Sequence, residues 1–107
     1  MPVNLLKHSK SISPVIQFSA SKTTHQLATS AREITKLKLI STGGAAHVSV
    51  YNNRAESTTD LRWVLDSSLQ NNDTDDFTNP LYFDEGIYLV CDDGAAFNPQ
   101  VCVAYIP

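Results

Sequence analysis

Two segments towards the end of the chain are apolar at nearly every position. They are residues 87–91 (IYLVC) and residues 101–106 (VCVAYI). Because successive side chains of a strand point to opposite faces, each segment predicts a β-strand that is apolar on both faces. A chain of 107 residues has little interior with which to cover both faces. We therefore expect a second chain to cover part of these strands.

Shorter apolar or alternating segments predict further strands upstream. Residues 19–31 are polar and indicate a loop or a short strand around Leu27. Residues 33–40 alternate clearly, with leucines on one face and lysines on the other. The segments predicted as strands are residues 14–18, 33–40, 46–51, 61–65, 81–83, 86–91 and 100–106.

The strands over residues 33–40 and 46–51 are expected to pair with each other. Gly43-Gly44 lies between them and permits the positive φ angles that a tight turn requires. Asn52-Asn53 then supplies the following turn. Together these signals predict an antiparallel hairpin.

Residues 61–65 (LRWVL) are compatible with a strand, or with a helix over residues 57–70 that Asp60 would cap. Their β-branched and aromatic content favours the strand. The polar segment that follows, residues 66–79, predicts a long loop. The inward positions of all these strands predict one shared core that contains Leu37, Leu39, Val48, Val50, Trp63, Leu65 and Leu89.

This spacing of strands and turns predicts an all-β fold. Roughly seven or eight short strands indicate a two-sheet antiparallel sandwich of the immunoglobulin-like or the jelly-roll type. We favour a jelly-roll-like arrangement. No repeat or linker divides the chain, so residues 14–107 are expected to form a single domain. Residues 1–13 are expected to form an edge strand, or an N-terminal arm that packs on a neighbouring subunit.

Composition and charge narrow the classes of protein to which this chain could belong. Apolar residues make up 42% of the chain, charged residues 18%, and the net charge is −3. The basic residues are scattered, which argues against a nucleic-acid binder. No segment approaches the roughly 20 apolar residues of a membrane span. The N-terminus does not have the pattern of a signal peptide, so we expect synthesis in the cytoplasm.

The polar residues do not form a recognisable catalytic motif. His8, His25 and His47 lie far apart, so we expect no catalytic residue and no enzyme activity. Residues 71–76 (NNDTDD) could supply oxygen ligands to calcium, but an EF-hand register is missing and asparagine and aspartate also dominate plain turns. We therefore expect a solvated loop, no metal site and no cofactor.

The two cysteines and the aromatic residues each leave two interpretations open. If residues 92–101 form a symmetric hairpin loop, Cys91 and Cys102 are opposed and within reach of a disulfide. Cytosolic synthesis favours reduced thiols in the core. The aromatic residues could form a sugar-stacking platform, although most occupy predicted core positions. Phe97, at the tip of a loop, is the exception.

Residues 79–107 resemble the closing segment of small structural proteins of tailed-bacteriophage particles. The shared pattern is a polar loop, a short aromatic strand, the turn Asp84-Glu85-Gly86, the strand 87–90, the turn Asn98-Pro99 and a last strand over 101–105. Such proteins are β-sandwiches that decorate or cement capsids, or that build fibres and tail parts. The resemblance carries over no functional residue.

This resemblance implies a non-enzymatic virion protein, a capsid decoration or cement protein that acts as a homo-oligomer. Its partners would be further copies of itself and a major capsid protein or another virion protein. The alternative is a carbohydrate-binding module, or a tail or fibre component that recognises a host glycan. The residues expected to contact partners are Val3, Leu5, Leu6, Tyr88, Phe97 and Tyr105.

Overall fold

A computed structural model describes residues 11–41, 46–67, 72–92 and 99–106. Within these residues the chain forms strands and no helix, as the sequence predicts, and so no helix there could span a membrane. The strands are β1 (Ser11–Ile12), β2 (Ile16–Gln17), β3 (Thr24–Ala28), β4 (Arg32–Ile40), β5 (Ala46–Tyr51), β6 (Leu61–Ser67), β7 (Asn72–Phe83), β8 (Ile87–Cys91) and β9 (Gln100–Ile106).

The strands form two antiparallel sheets that pack face to face. In the five-stranded sheet the order is β1-β9-β4-β7, and β2 also pairs with β9. In the four-stranded sheet the order is β3-β8-β5-β6. β1 and β2 can be taken as one strand interrupted at Pro14. This strand pairs with β9, and β4 pairs with β7, in one sheet, whereas β3 pairs with β8 and β5 pairs with β6 in the other. This rolled-up antiparallel ribbon is the jelly roll, which confirms the fold class expected from the sequence.

The expected hairpin between β4 and β5 is wrong. β4 pairs with β7 and β9, whereas β5 pairs with β6 and β8 in the other sheet. The chain therefore crosses from one sheet to the other between these strands, and the Gly43-Gly44 turn lies outside the described residues. A pair of alternating strands has the same local pattern whether the second lies beside the first or across the core from it.

The long loop expected over residues 66–79 is also wrong. Most of it belongs to β7, which pairs with β4 and includes the predicted strand 81–83 at its end. Two of its acids face inwards at the edge of the sheet, where Asp73 lies across from Leu39 and Asp75 across from Leu37. Inward-pointing charges of this kind discourage pairing with further strands.

The register of β4 shifts between Ile34 and Lys36 against both of its neighbours, β7 and β9. Ile34 is opposite Leu81, but Lys36 is already opposite Asp76, so residues 77–80 bulge out of β7. Pro80, which cannot donate a ladder hydrogen bond, falls within the bulge. In the pairing with β9, Ile34 is opposite Tyr105 and Lys36 is opposite Ala104, so β4 has one extra residue, Thr35. This β4 bulge shifts the alternation and buries Ile34 together with the predicted core residues Leu37 and Leu39.

The core lies between the two sheets and contains the predicted residues. All seven predicted side chains are fully buried except that of Trp63, which is partly buried and packs against the core. Leu27, placed by the sequence in a loop or short strand, lies in β3 and also packs there. Further large members of the core are Phe18, Ile34, Phe83, Ile87, Val101 and Val103.

The two cysteines do not face each other. Cys91 lies in β8 and Cys102 in β9, and these strands belong to different sheets. Neither residue forms a disulfide; Cys91 is buried in the core and Cys102 is partly exposed. The symmetric hairpin that would have opposed them is therefore wrong, and of the two cysteines only Cys91 has the expected position in the core.

Candidate interaction surface

The structure separates the residues that were expected to contact partners. Val3, Leu5, Leu6 and Phe97 lie outside the described residues. The remaining two, Tyr88 and Tyr105, lie among the described residues. Tyr105 is opposite Ile34, a fully buried residue, and packs against the core of its own subunit. Its inward position does not support the role in partner binding that we expected.

Tyr88 lies on the outer face of β8 but is only 6% exposed, because its own subunit covers it. The loop between β5 and β6 packs against the start of β8, where a Cβ atom on Gly86 would collide with the carbonyl oxygens of Ala28 and Asn53. The side chain of Gln26, next to Tyr88 in the sheet, donates to the Asn53 carbonyl at 2.9 Å. At Tyr88, therefore, the subunit itself supplies the cover that we expected a second chain to give.

A buried asparagine holds the same loop to the turn between β7 and β8. Asn52 is 2% exposed, and its Nδ2 donates to Asp60 Oδ2 at 3.0 Å and to Asp84 Oδ1 at 2.5 Å. Its Oδ1 accepts a hydrogen bond from the Glu85 amide at 2.8 Å. The sequence indicated only a turn at Asn52-Asn53, because the partners lie far along the chain.

Arg62 completes this polar cluster and neutralises its acids. Its Nε and Nη2 donate to the two carboxylate oxygens of Asp60 at 2.8 and 3.0 Å. Its Nη2 lies 3.7 Å from Asp84 Oδ1, and its Nη1 donates to the Tyr82 carbonyl at 2.8 Å. Hydrogen bonds from Arg62, and then from Asn52, hold the pKa of Asp60 below its ordinary value of 3.8. The cluster therefore acts as a structural clamp between the sheets.

We expect the free energy of unfolding to fall in acid, because the clamp depends on the ionised carboxylate of Asp60. Because the folded-state pKa of Asp60 is lowered, its contribution is present above pH 3.8 and is lost as the pH falls through the folded-state pKa. Urea unfolding at a series of pH values should show this loss in the wild type and less of it in Asp60→Asn. Asp92→Asn, which changes an exposed acid outside the clamp, should behave like the wild type. Equal acid sensitivity of Asp60→Asn and wild type would contradict the assignment.

No catalytic or metal-binding arrangement is present among the described residues. His25 lies in β3, where partial burial and then Lys22 lower its pKa, and the His47 Nδ1 lies 3.9 Å from Asp66 Oδ1 on β6. Within the same residues no three His, Cys, Asp or Glu side chains gather as metal ligands, and no pocket opens. The acids of the Asx-rich segment instead bond protein groups, as Asp73 does with the Asp66 amide at 2.9 Å.

The outer face of β9 is an apolar surface that the described part of the chain leaves partly exposed. Val101 and Val103 point into the core, and the alternate residues Cys102, Ala104 and Ile106 are only partly buried. The neighbouring edge strands add two side chains, and we name the whole surface the β9 strip. It consists of Ile12, Val15, Cys102, Ala104 and Ile106.

The edge of the β9 strip is the most exposed part. Ile12 pairs with Ala104 and is 75% exposed. Val15 is 55% exposed. The residues on either side of it, Ser13 and Ile16, pair with Val103 and Val101 of β9. Val15 therefore borders Cys102. Lys36 and Lys38 of β4 flank the strip on its other side. Beyond the strip, the outer face of β4 and β7 carries Lys36, Lys38 and Asp76 together with the exposed Tyr82.

A second apolar patch lies on the outer face of the four-stranded sheet. Leu61 is opposite Tyr51 and Val64 is opposite Ser49, and both apolar side chains are exposed. Leu61 reaches this outer face because the β5–β6 pairing is irregular between Val50 and Tyr51. We name Leu61 and Val64 the β6 patch. It lies on the opposite side of the sandwich from the β9 strip.

No protein-family model matches this chain, and no curated protein matches its sequence. What the two apolar surfaces bind must therefore be inferred from their own chemistry.

Proposed function

We propose that this protein is a non-enzymatic structural protein of a tailed-bacteriophage particle, a capsid decoration or cement protein that works as a homo-oligomer. The observation that carries the proposal is the pair of apolar surfaces on opposite outer faces of the sandwich. Exposed apolar patches commonly mark sites of protein–protein contact. A protein that binds both its own copies and a capsid needs two such surfaces, and the β9 strip and the β6 patch could serve these two purposes.

The fold supports this proposal by analogy. Jelly rolls occur in viral capsid proteins and in lectins. Because one fold hosts many functions, the analogy alone does not distinguish these classes, and the surfaces carry more weight.

The mechanism would be mechanical. Capsid subunits that meet only along their edges would be bridged by an oligomer that buries roughly 1,000 Å² or more at each stable contact. Each bridge raises the force needed to separate the subunits. The rigid two-sheet core would hold the two binding surfaces at a constant separation.

The glycan-binding alternative has less support from the aromatic side chains. The Trp63 ring packs edge-on against Phe77 at a centroid distance of 4.9 Å, and its Nε1 donates to Asp75 at 2.8 Å. Tyr88 is covered by its own subunit. Among the described residues, Tyr82 is the aromatic side chain that stands exposed, and a stacking platform usually needs a group of such rings.

Native mass spectrometry at rising concentration, followed by sedimentation with capsids stripped of this protein, tests the proposal. We expect an oligomer that binds the capsids. Val64→Lys should weaken capsid binding, whereas Thr29→Lys, at an exposed polar position, should not. A monomer at all concentrations that does not bind capsids would refute the proposal. A monomer that binds glycans on an array would favour the alternative.

A further inference from the structure

On the outer face of the five-stranded sheet, a basic line of side chains runs beside the apolar β9 strip. The residues of β4 that lie next to the strip are Lys36 and Lys38. The Lys36 Nζ lies 3.4 Å from Asp76 Oδ1, whereas Lys38 is opposite Thr74 on the β7 side. Alternate residues of a strand share one face, so the two lysines form a short line parallel to the strip.

The outer face of the four-stranded sheet has the same arrangement with the opposite charge. Val64 of the β6 patch and the partly exposed Val90 of β8 lie in one row across β5. In the next row Asp66 and Asp92 lie on either side of His47. The Asp66 side chain is 73% exposed, and Asp92 is exposed as well. This face therefore has an apolar line with an acidic line beside it.

The two arrangements have similar dimensions. Neighbouring strands lie about 4.8 Å apart, so the row from Val64 to Val90 and the acidic row beside it are each roughly 10 Å long. From Cys102 to Ile106 the β9 strip is roughly 13 Å long. The strip runs along its strand, whereas the rows run across theirs. The lines therefore coincide when two sheets cross at nearly a right angle, which is one of the two common angles of sheet packing.

The two surfaces lie on opposite sides of one sandwich, so they can meet only between copies. We propose that the β9 strip of one copy packs on the β6 patch of a second copy, with Lys36 and Lys38 facing Asp66 and Asp92. A contact between two strips, or between two patches, would bring no opposite charges of these two lines together. This inference rests on the proposed homo-oligomer and names the contact that joins its copies.

Such a contact is heterologous, because it joins two different surfaces. Each pair of copies leaves one strip uncovered at one end and one patch uncovered at the other, so further copies can add until a ring closes or an open stack forms. Both surfaces are small, so a single contact should be weak and association should rise with protein concentration. The last patch of an open stack stays available to the capsid.

A mixing experiment distinguishes this contact from the symmetric alternatives. Ile12→Asp changes an exposed residue of the strip, and Val64→Asp changes an exposed residue of the patch. In native mass spectrometry each variant alone should associate at least about tenfold more weakly than the wild type, because the charge would be buried in an apolar contact. An equimolar mixture, with one variant isotope-labelled, should form a heterodimer and nothing larger, since one intact strip and one intact patch remain. Thr29→Asp, at an exposed polar position outside both surfaces, is the matched control and should associate like the wild type.

The outcomes of mixing separate this inference from the proposed function. Undiminished association of Val64→Asp alone would show a contact between strips, and undiminished association of Ile12→Asp alone would show a contact between patches. Either result, or a mixture that stays monomeric, would overturn the inference and leave the proposed function standing. A wild type that is monomeric at every concentration would overturn the inference, and if it also fails to bind capsids it would overturn the proposed function as well.

Charge reversal gives a second, independent measurement. Lys36→Glu/Lys38→Glu and Asp66→Lys/Asp92→Lys should each weaken self-association by at least about tenfold, because each brings like charges together. An equimolar mixture of these two variants should recover association, because every strip then meets a patch of opposite charge. A mixture that shows no recovery would overturn the assigned contact.

Discussion

Replacing Trp63 by alanine is expected to lower the free energy of unfolding by about 3 kcal/mol, as truncations of large packed side chains do. Trp63 belongs to β6 of one sheet, whereas its two partners belong to β7 of the other. Its ring packs against Phe77 with an interplanar angle of 85°, and its Nε1 donates to Asp75 Oδ2 at 2.8 Å. Removing the ring would therefore open the corner at which the sheets meet.

Trp63→Phe separates packing from hydrogen bonding at this corner. It keeps an aromatic ring and removes the N–H donor, so we expect a loss of about 1–2 kcal/mol in urea unfolding. A change below about 1 kcal/mol for Trp63→Ala would show that the ring contributes little to the packing between the sheets.

Replacing Asn52 by leucine is expected to destabilise the protein by about 3 kcal/mol, because the asparagine side chain is buried and makes three hydrogen bonds that leucine cannot make. The carboxylates of Asp60 and Asp84 would each lose a donor, and the Glu85 amide would lose its acceptor. Leucine has the same branch at Cγ but a larger volume, so overpacking at this buried position would add to the loss of the hydrogen bonds. Thermal and urea unfolding would measure it.

Asn53→Ala is the matched control for Asn52→Leu. Asn53 also anchors the loop, donating to the carbonyls of Ser57 at 2.7 Å and Thr59 at 2.6 Å, but these bonds are more exposed. We expect a loss of about 1 kcal/mol. If the two substitutions cost the same, the buried clamp around Asn52 would not be the dominant link between the loop and the β7–β8 turn.

Local patterns were sufficient to predict most of the strands and the core. Alternation placed Leu37, Leu39, Val48 and Val50 inwards, and all are fully buried. This success has a simple cause, since side-chain direction in a strand depends on residue spacing alone. The β4 bulge marks the limit of that rule. There the tertiary pairing shifts the alternation and adds Ile34 to the core, which strict periodicity would not predict.

The pairing of strands could not be predicted from the same patterns. The expected β4–β5 hairpin and the opposed cysteines both assumed that neighbours in sequence are neighbours in a sheet. In a jelly roll successive strands often lie in opposite sheets, and their hydrogen-bonding partners come from distant parts of the chain. Residues 72–79 were expected to be a loop for a related reason, because polar residues form a strand when a partner such as β4 is available.

The sequence by itself determined that β8 and β9 are apolar on both faces, and only the tertiary structure decided which of those faces remain uncovered. The outer face of β8 is closed by the loop that Asn52 and Gln26 hold against it, through hydrogen bonds between residues far apart in the chain. The outer face of β9 has the short edge strands β1 and β2 on one side and β4 on the other, and Ile12 and Val15 stay exposed at its edge. The apolar pattern of a strand depends on its own residues, whereas its covering depends on which distant segments the fold brings beside it.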